Sequence, residues 1–539
     1  TDGSNTTEEQ AAQAGMHQDG RAWFSLPQGG NSSDHGLLAI NHEYIDNGLL
    51  FKDGDANWSA DKALKGQNAM GVSVIEVKKV PLGWEVVRPS SFARRITVNT
   101  PMKITGPALH NPLMQTVDDP KGEIILGTMQ NCANGFTPWG TYLTCEENWS
   151  DIFVKKAEMN PLEKRYGISG SDDSYRWNEV DKRFSVDATP NEPNRFGWVV
   201  EIDPYDPHSV PRKHTALGRI KHEGAAVTIA PDNRVVVYMG DDQKFEYIYK
   251  FVSEGKFNPQ DRKANMHLLE KGTLYVAKFN DDGKGEWLPL VFGQNGLDAS
   301  KGFENQGDLL IKTRLAADAV GATKMDRPEW IAVDPYHAGS VYCTLTNNSD
   351  RGTEGKAPVD AANPRAKNVY GHIIHWLEHN GDPTALQFAW DILVMGGRTD
   401  TDKPETKGSM KGAEFGSADG LSFDHRGVLW IQTDVSSSTI NSKDYKGMGN
   451  NQMVATIPGT NEFRRFLTGP RGCEITGIAF TPDNRTLFIN IQHPGEPSEG
   501  LSDPQHPTAV SSWPDGDKAG RPRSSTVVIV KADGGIIGT

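Results

Sequence analysis

One strand ending recurs along the chain, and this repeat restricts the fold more than any other feature. A short apolar run closes on a small polar or acidic cluster. Leu37–Ile40 ends in Asn41-His42-Glu43, and Thr141–Thr144 ends in Cys145-Glu146-Glu147-Asn148. Val235–Met239 ends in Gly240-Asp241-Asp242, and Val341–Leu345 ends in Thr346-Asn347-Asn348. Val428–Ile431 ends in Gln432-Thr433-Asp434, and Leu487–Ile491 ends in Gln492-His493. These are six endings of one type.

Four of the six carry a longer unit upstream, headed by Glu223, Glu329, Asp419 or Glu474. Each head opens an apolar strand that turns at a corner such as Pro231-Asp232-Asn233 or Asp424-His425-Arg426-Gly427. Eighteen residues separate Glu223 from Asp241, Glu329 from Asn347, and Glu474 from Gln492; fifteen separate Asp419 from Asp434. Strand, tight turn and strand form a hairpin, which brings the head beside the ending. The acids therefore collect at one end of a stack of sheets. Repeated hairpins with few helical patterns predict an all-β, six-bladed β-propeller. Outer blade strands are expected at Trp198–Asp203, Tyr247–Val252, Thr273–Ala277 and His372–Trp376. A last strand at Thr526–Lys531 is expected to complete the first blade and close the ring.

The 539 residues include 56 Gly and 32 Pro, a turn-rich composition that suits this architecture. The whole chain, 1–539, reads as one propeller domain. Polar insertions near 151–194, 298–324, 352–367 and 496–525 are placed as loops over the face that carries the acids. The net charge of −14 argues against a nucleic-acid surface. It also means that an anionic substrate needs bound cations to invert the local field. No run of about 18 apolar residues exists, so no membrane helix is expected. The polar opening stretch reads as a chain whose export signal has been removed, and a monomer is the default. Four scattered Cys make no disulfide framework, and no dinucleotide, phosphate-loop or Gly-x-Ser-x-Gly motif occurs.

Cys145-Glu146-Glu147 stands at a strand end, in register with Glu43 and Asp241. A thiolate among carboxylates suits a borderline metal such as iron or zinc; a buried thiol flanked by solvated acids is the alternative. Glu223, Glu329, Asp419 and Glu474 converge on one channel and would repel one another without cations. Oxygen-rich sites of high charge favour calcium. Such acids also serve in propellers to bind a backbone N–H of the next blade. Arg351 follows the Asn347 ending and could clamp a phosphate through two oxygens, or simply pair with Asp350. His17, His42, His222 and His493 are ligand or proton-shuttle candidates, and Trp139 and Trp330 read as packing residues.

Taken together, these segments resemble the PhoX-type alkaline phosphatase family. The resemblance rests on Gly15–Gly20, Asn41–Tyr44, Asn131-Cys132-Ala133, Thr137–Asn148, Lys221–Ala226 and Gly240–Asp242. It continues through Arg327–Trp330, Asp419–Leu421, Gly472–Gly477 and Asn490–Glu496. It implies an alkaline phosphatase that hydrolyses small phosphate monoesters with two Fe3+ ions, three Ca2+ ions and a bridging oxide. Carried over by motif, Cys145 is the expected thiolate on iron. Glu43, Glu147, Glu223, Asp241, Asp242, Glu329, Asp419 and Glu474 are the expected carboxylate ligands, and Arg351 is expected to hold the phosphate. Export through the twin-arginine (Tat) route, and hence a periplasmic or secreted protein, is implied likewise. A calcium-dependent propeller lactonase or phosphotriesterase, or a calcium-stabilised binding propeller without catalysis, is the alternative; neither needs a thiolate.

Overall fold

The computed structural model describes residues 2–172, 175–516 and 520–539. It is a six-bladed β-propeller whose innermost strands are Gln18–Ser25, Asn131–Phe136, His222–Ile229, Pro328–Val333, Ala418–Phe423 and Glu474–Phe480. Each neighbours the next in this order, and the sixth returns to the first. Blades 1 to 6 are numbered by these strands. Blades 3 and 4 also join at their outer edges, where Lys284–Pro289 pairs with Gln387–Met395.

The unbroken apolar run Val235–Met239 has its cause in this packing. Side chains alternate across a strand, so Val235, Val237 and Met239 pack toward blade 2 while Val236 and Tyr238 pack toward blade 4. Both faces of the blade are buried here, so both alternate positions of this strand are apolar. Edge-to-face contacts fill the same interfaces, for example Tyr238 against Trp376 at 5.7 Å between ring centres.

Every innermost strand has one extra residue relative to its partner near the start. The register slips at Gln18/Arg21, Asn131/Asn134, Glu223/Ala226, Pro328/Ile331, Ala418/Leu421 and Thr476/Ile478. A β-bulge bends the strand and re-aims the side chains beside it. The repeat is thus a bulged hairpin, and its bulges ring one mouth of the channel.

The second strand of a blade ends at that same mouth, so the connection to the third strand crosses the same face. Segments 151–194, 352–367 and 496–525 are connections of this kind in blades 2, 4 and 6, and 298–324 links blade 3 to blade 4. Blade 1 has one the sequence reading missed, with helices Asn47–Leu50 and Ala60–Asn68. The 298–324 segment, read as loop, contains helices Gln306–Ile311 and Thr313–Val320, the latter closed by Gly321 in the left-handed region at φ 73°.

The ring closes otherwise than expected. Ser525–Val530 pairs with Thr486–Gln492 and is the outer strand of blade 6, not a strand of blade 1. Side chains join the two blades instead. Asn490 donates to the Asp19 carbonyl and accepts from Arg21, and Thr476 Oγ1 donates to the Gln18 carbonyl at 2.8 Å. Burial pulls the Arg21 guanidinium down to about 9. Asn490→Ala should therefore leave a buried cation short of an acceptor and lower stability by about 3 kcal/mol. Urea unfolding would read this as a lower midpoint at unchanged slope.

Candidate metal centre

The bulges and strand ends bring eight carboxylates and one thiol together at the channel mouth. Ligand atoms of Asp19, Glu43 and Cys132 lie within 4.8 Å of one another, as do those of Cys132, Glu147 and Glu223, and those of Glu223, Glu329 and Asp419. Cys132 and Glu223 each belong to two groups, so the three merge into an arc from blade 1 to blade 5. Glu474 continues it from blade 6, with Asp419, Asp434 and Asp19 as its charged neighbours.

Cys132 lies between carboxylates. Its Sγ is 3.0 Å from Asp19 Oδ2 and 3.1 Å from Glu223 Oε1. Burial, then Asp19 and Glu223, push this thiol well above its usual range. Burial raises every carboxyl in the arc, and neighbouring acids add to it. Asp19 is pushed up to about 6. Glu43, Glu147, Glu223, Glu329, Asp419 and Glu474 are pushed well above the carboxylate range. Glu147 Oε1, Glu223 Oε2 and Asp419 Oδ1 are buried without a hydrogen-bond partner. Buried acceptors are normally satisfied. These oxygens and the thiol form a donor set that fits bound cations.

Arg327 is the arginine that reaches the acids of the arc directly. Its Nε and Nη2 donate to Asp242 at 2.9 and 2.7 Å, and Nη2 lies 2.8 Å from Glu329. Burial pulls its pKa down, but Asp242 and Glu329 outweigh that and hold it well above normal. Its backbone is left-handed, at φ 59°, an uncommon state for a side chain of this size that marks an imposed position.

Three expected site residues stand elsewhere. Cys145 is fully buried between blades 2 and 3 among Leu143, Val199 and Val237. Its strand continues through Glu146, so alternation turns Cys145 into the apolar interface; only Glu147, past the strand end, turns into the channel. Glu146 is buried within blade 2 and binds Lys213 at 2.6 Å. Asp241 is held by Arg314, whose Nε donates at 2.8 Å, and accepts from the Lys221 amide at 3.1 Å. Arg351 is fully buried. It donates to Asp326 at 2.8 Å and to the carbonyls of Pro358 and Lys324 at 3.1 and 2.6 Å, fastening the 352–367 segment to blade 4. Asp350 pairs with Lys244 rather than with Arg351.

Asp242 pairs with Arg327 at the rim of the arc, while Glu43, Glu147, Glu223, Glu329, Asp419 and Glu474 lie where the arc is built. Asp19, Cys132, Asp434 and Arg327 were missed as site residues. Asp19 and Cys132 precede Gly20 and Ala133 at bulge positions matching Asp419-Gly420, a small-residue pattern that could have found them. Of the histidines, His42 bonds Ser73 at 2.6 Å and His222 the Gly218 carbonyl at 2.8 Å. His17 packs against Tyr44 with the rings tilted and their centres 4.0 Å apart, and His493 lies 3.5 Å from Glu474.

A propeller with a crowded acidic mouth, a thiol within it and a clamped arginine defines a candidate metal-dependent enzyme. Comparison with known proteins gives the same class. The family model described as alkaline phosphatase PhoX matches residues 1–495. The solved structure of Pseudomonas fluorescens PhoX in complex with vanadate, a transition state analogue, is 47% identical; the alignment covers 100% of this chain and 92% of that one, with a TM-score of 0.94. A Dyadobacter fermentans protein of unknown function is 7% identical over 96% of each chain at a TM-score of 0.39. A gluconolactonase from Xanthomonas campestris is 10% identical over 88% of this chain and 94% of its own, at 0.27. Neither of these two bears on function. No curated protein sequence matches. The chain belongs to the PhoX alkaline phosphatase family. It is a metal-dependent phosphatase.

Two outcomes follow from the electrostatics. With cations removed, the folded chain binds protons on these carboxyls more tightly than the unfolded chain does. That stability is fully present below about pH 4, the unfolded value, and is lost as pH rises through the folded values. The melting temperature of chelated protein should thus fall as pH rises from about pH 4 through about 6, where Asp19 titrates, and recover when metal is restored. Arg351→Ala strands Asp326 and should cost about 3 to 5 kcal/mol in unfolding free energy, with metal content per folded molecule unchanged.

Proposed function

We propose that the channel mouth holds iron and calcium ions, with Cys132 as the thiolate ligand to iron. Asp19, Glu43, Glu147, Glu223, Glu329, Asp419 and Glu474 are the carboxylate ligands. The single observation that carries this reading is the Cys132 thiol set between two carboxylates inside a longer carboxylate arc. A soft sulfur ligand among hard oxygens suits a borderline ion beside calcium. Cations bound there would act as Lewis acids, drawing charge from the phosphoryl oxygens.

The chain's own residues do the rest. Asp242 and Glu329 engage Nε and Nη2 of Arg327, which leaves the Nη1 donors for a phosphoryl oxygen of the ester. A guanidinium fixed in this way loses little freedom on binding and need not reorganise as charge builds on phosphorus. The planar fork fixes direction, which an ammonium cannot do. Asp434, whose carboxyl burial pushes up and Arg327 draws back down, faces the same guanidinium and helps to hold it. No helix among the described residues is long and apolar enough to cross a membrane. The family resemblance supports export to the periplasm or beyond, where phosphate esters too polar to cross a membrane are met, and a monomer suffices because the arc is complete within one chain.

Cys132→Ser should lower iron content and visible absorbance together with hydrolysis of p-nitrophenyl phosphate, whereas Cys145→Ser should keep all three. Elemental analysis of both variants decides between the two thiols; loss of iron in the Cys145 variant alone would sink the assignment. Arg327→Lys should lower kcat/KM by about 10²- to 10³-fold at normal metal content. Steady-state kinetics on metal-assayed protein reads this.

A further inference from the structure

A cavity of about 270 Å³ opens beside the centre on the blade 1 and blade 2 side. One wall is Glu43 itself. The others are Tyr44, Gln130, Asn148 and Tyr175, with Asp151 and Glu496 half-exposed at the mouth and Ile45 and Leu501 as the apolar part. The 43–70, 151–194 and 496–525 connections meet there. Blade 1 stands opposite blade 4 in the ring, so this cavity lies across the channel from Arg327.

We propose that this cavity is the leaving-group subsite and that it selects esters of small, uncharged polyhydroxy alcohols over esters whose alcohol bears a second phosphate. This rests on the phosphatase reading, with Arg327 on the phosphoryl group. With the phosphoryl oxygens turned toward Arg327, the ester oxygen and its substituent are directed to the opposite side, where this cavity is. Its volume admits a glycerol or hexose unit. Its lining is rich in oxygen acceptors suited to hydroxyl donors. Gln130 Nε2 donates to the Tyr175 hydroxyl at 2.6 Å, and Tyr44 donates to Glu496 at 2.7 Å, which fixes the two rings as walls.

The charges facing the cavity determine what is refused. Asp46 is taken up by the backbone amides of Gly48 and Ser502 at 2.8 and 3.1 Å. Lys221 stands behind the wall and donates to Asn148 at 2.8 Å, with Asp151 at 3.4 Å. Away from the ligands of the centre, Asp151 and Glu496 outnumber the one basic side chain nearby, Lys221, and a second phosphate at this outer end of the cavity would meet net repulsion. Asp151 is the specificity residue: it is half-exposed, belongs to the lining, and is not among the ligands proposed for the centre.

The test compares methyl phosphate, glucose 6-phosphate and glucose 1,6-bisphosphate on metal-loaded enzyme. The wild type should prefer glucose 6-phosphate to the bisphosphate in kcat/KM. Asp151→Asn should raise kcat/KM for the bisphosphate about three- to tenfold, as expected for one partly solvated charge a few ångströms away, and leave methyl phosphate unchanged. Leu501→Trp, which fills the cavity from a surface loop, should raise KM for glucose 6-phosphate and again spare methyl phosphate. Equal effects on methyl phosphate and the sugar phosphates, or none on either, would overturn the subsite. Failure of the wild type to hydrolyse any of the three would instead overturn the phosphatase reading beneath it.

Discussion

Mutual repulsion among the buried carboxylates at the channel mouth is the constraint on which the rest of the structure depends. Acids from all six blades converge where water is scarce, and every carboxyl of the arc is pushed up by burial. Such a set cannot help the fold in its charged state without cations. Stability must come from elsewhere, and it comes from blade faces packed on both sides, with aromatic and branched side chains interdigitated between them. The propeller suits the task because the acids are spread over all six blades. No single hairpin has to tolerate all the repulsion, and the ring cannot widen to relieve it.

Ion pairs away from the channel show how the remaining charges are used. Lys213 with Glu146, Lys250 with Glu378 and Arg314 with Asp241 are all buried and lie within or between blades. These acids have a fixed basic partner, whereas those of the arc have neighbours of like charge. Asp241 and Asp242 are adjacent in sequence and fall on opposite sides of this division. One is neutralised by Arg314 inside the blade packing, the other positions Arg327 at the mouth. An acid held by a buried basic partner and free of like-charged neighbours leaves little for a cation to satisfy; Glu329, paired with Arg327 but crowded by Asp242 and Asp419, shows that crowding by other acids is what marks the ligand candidates.

This division explains what the sequence could and could not tell. Six hairpins were legible because apolar runs and tight turns leave a local pattern, and the heads Glu223, Glu329, Asp419 and Glu474 were legible because they repeat at a fixed spacing. Glu43 and Glu147 were legible as strand endings. Cys145 was favoured because it sits in a run of acids, yet the strand runs two residues past Thr144, where the reading ended it, and turns this side chain into the core. Cys132 and Asp19 were hidden because a bulge sets their direction, and a bulge is a property of the pairing with a neighbour. Arg351 and Arg327 show the same limit: both follow or precede blade 4 strands, and only long-range partners separate the one that fastens a loop from the one that faces the channel.

The direction of the Arg327 guanidinium then orders the whole site. Clamped through Nε and Nη2 by Asp242 and Glu329, it keeps Nη1 as the edge left for a ligand. Whatever it binds must lie between that edge and the arc of acids, with the remainder of the ligand on the far side. The connections over blades 1, 2 and 6 are the ones that build that far wall. They vary in length and composition far more than the bulged hairpins beneath them, because no repeat geometry constrains them. Chemistry is therefore fixed by the part of the chain that repeats, and substrate choice is left to the part that does not.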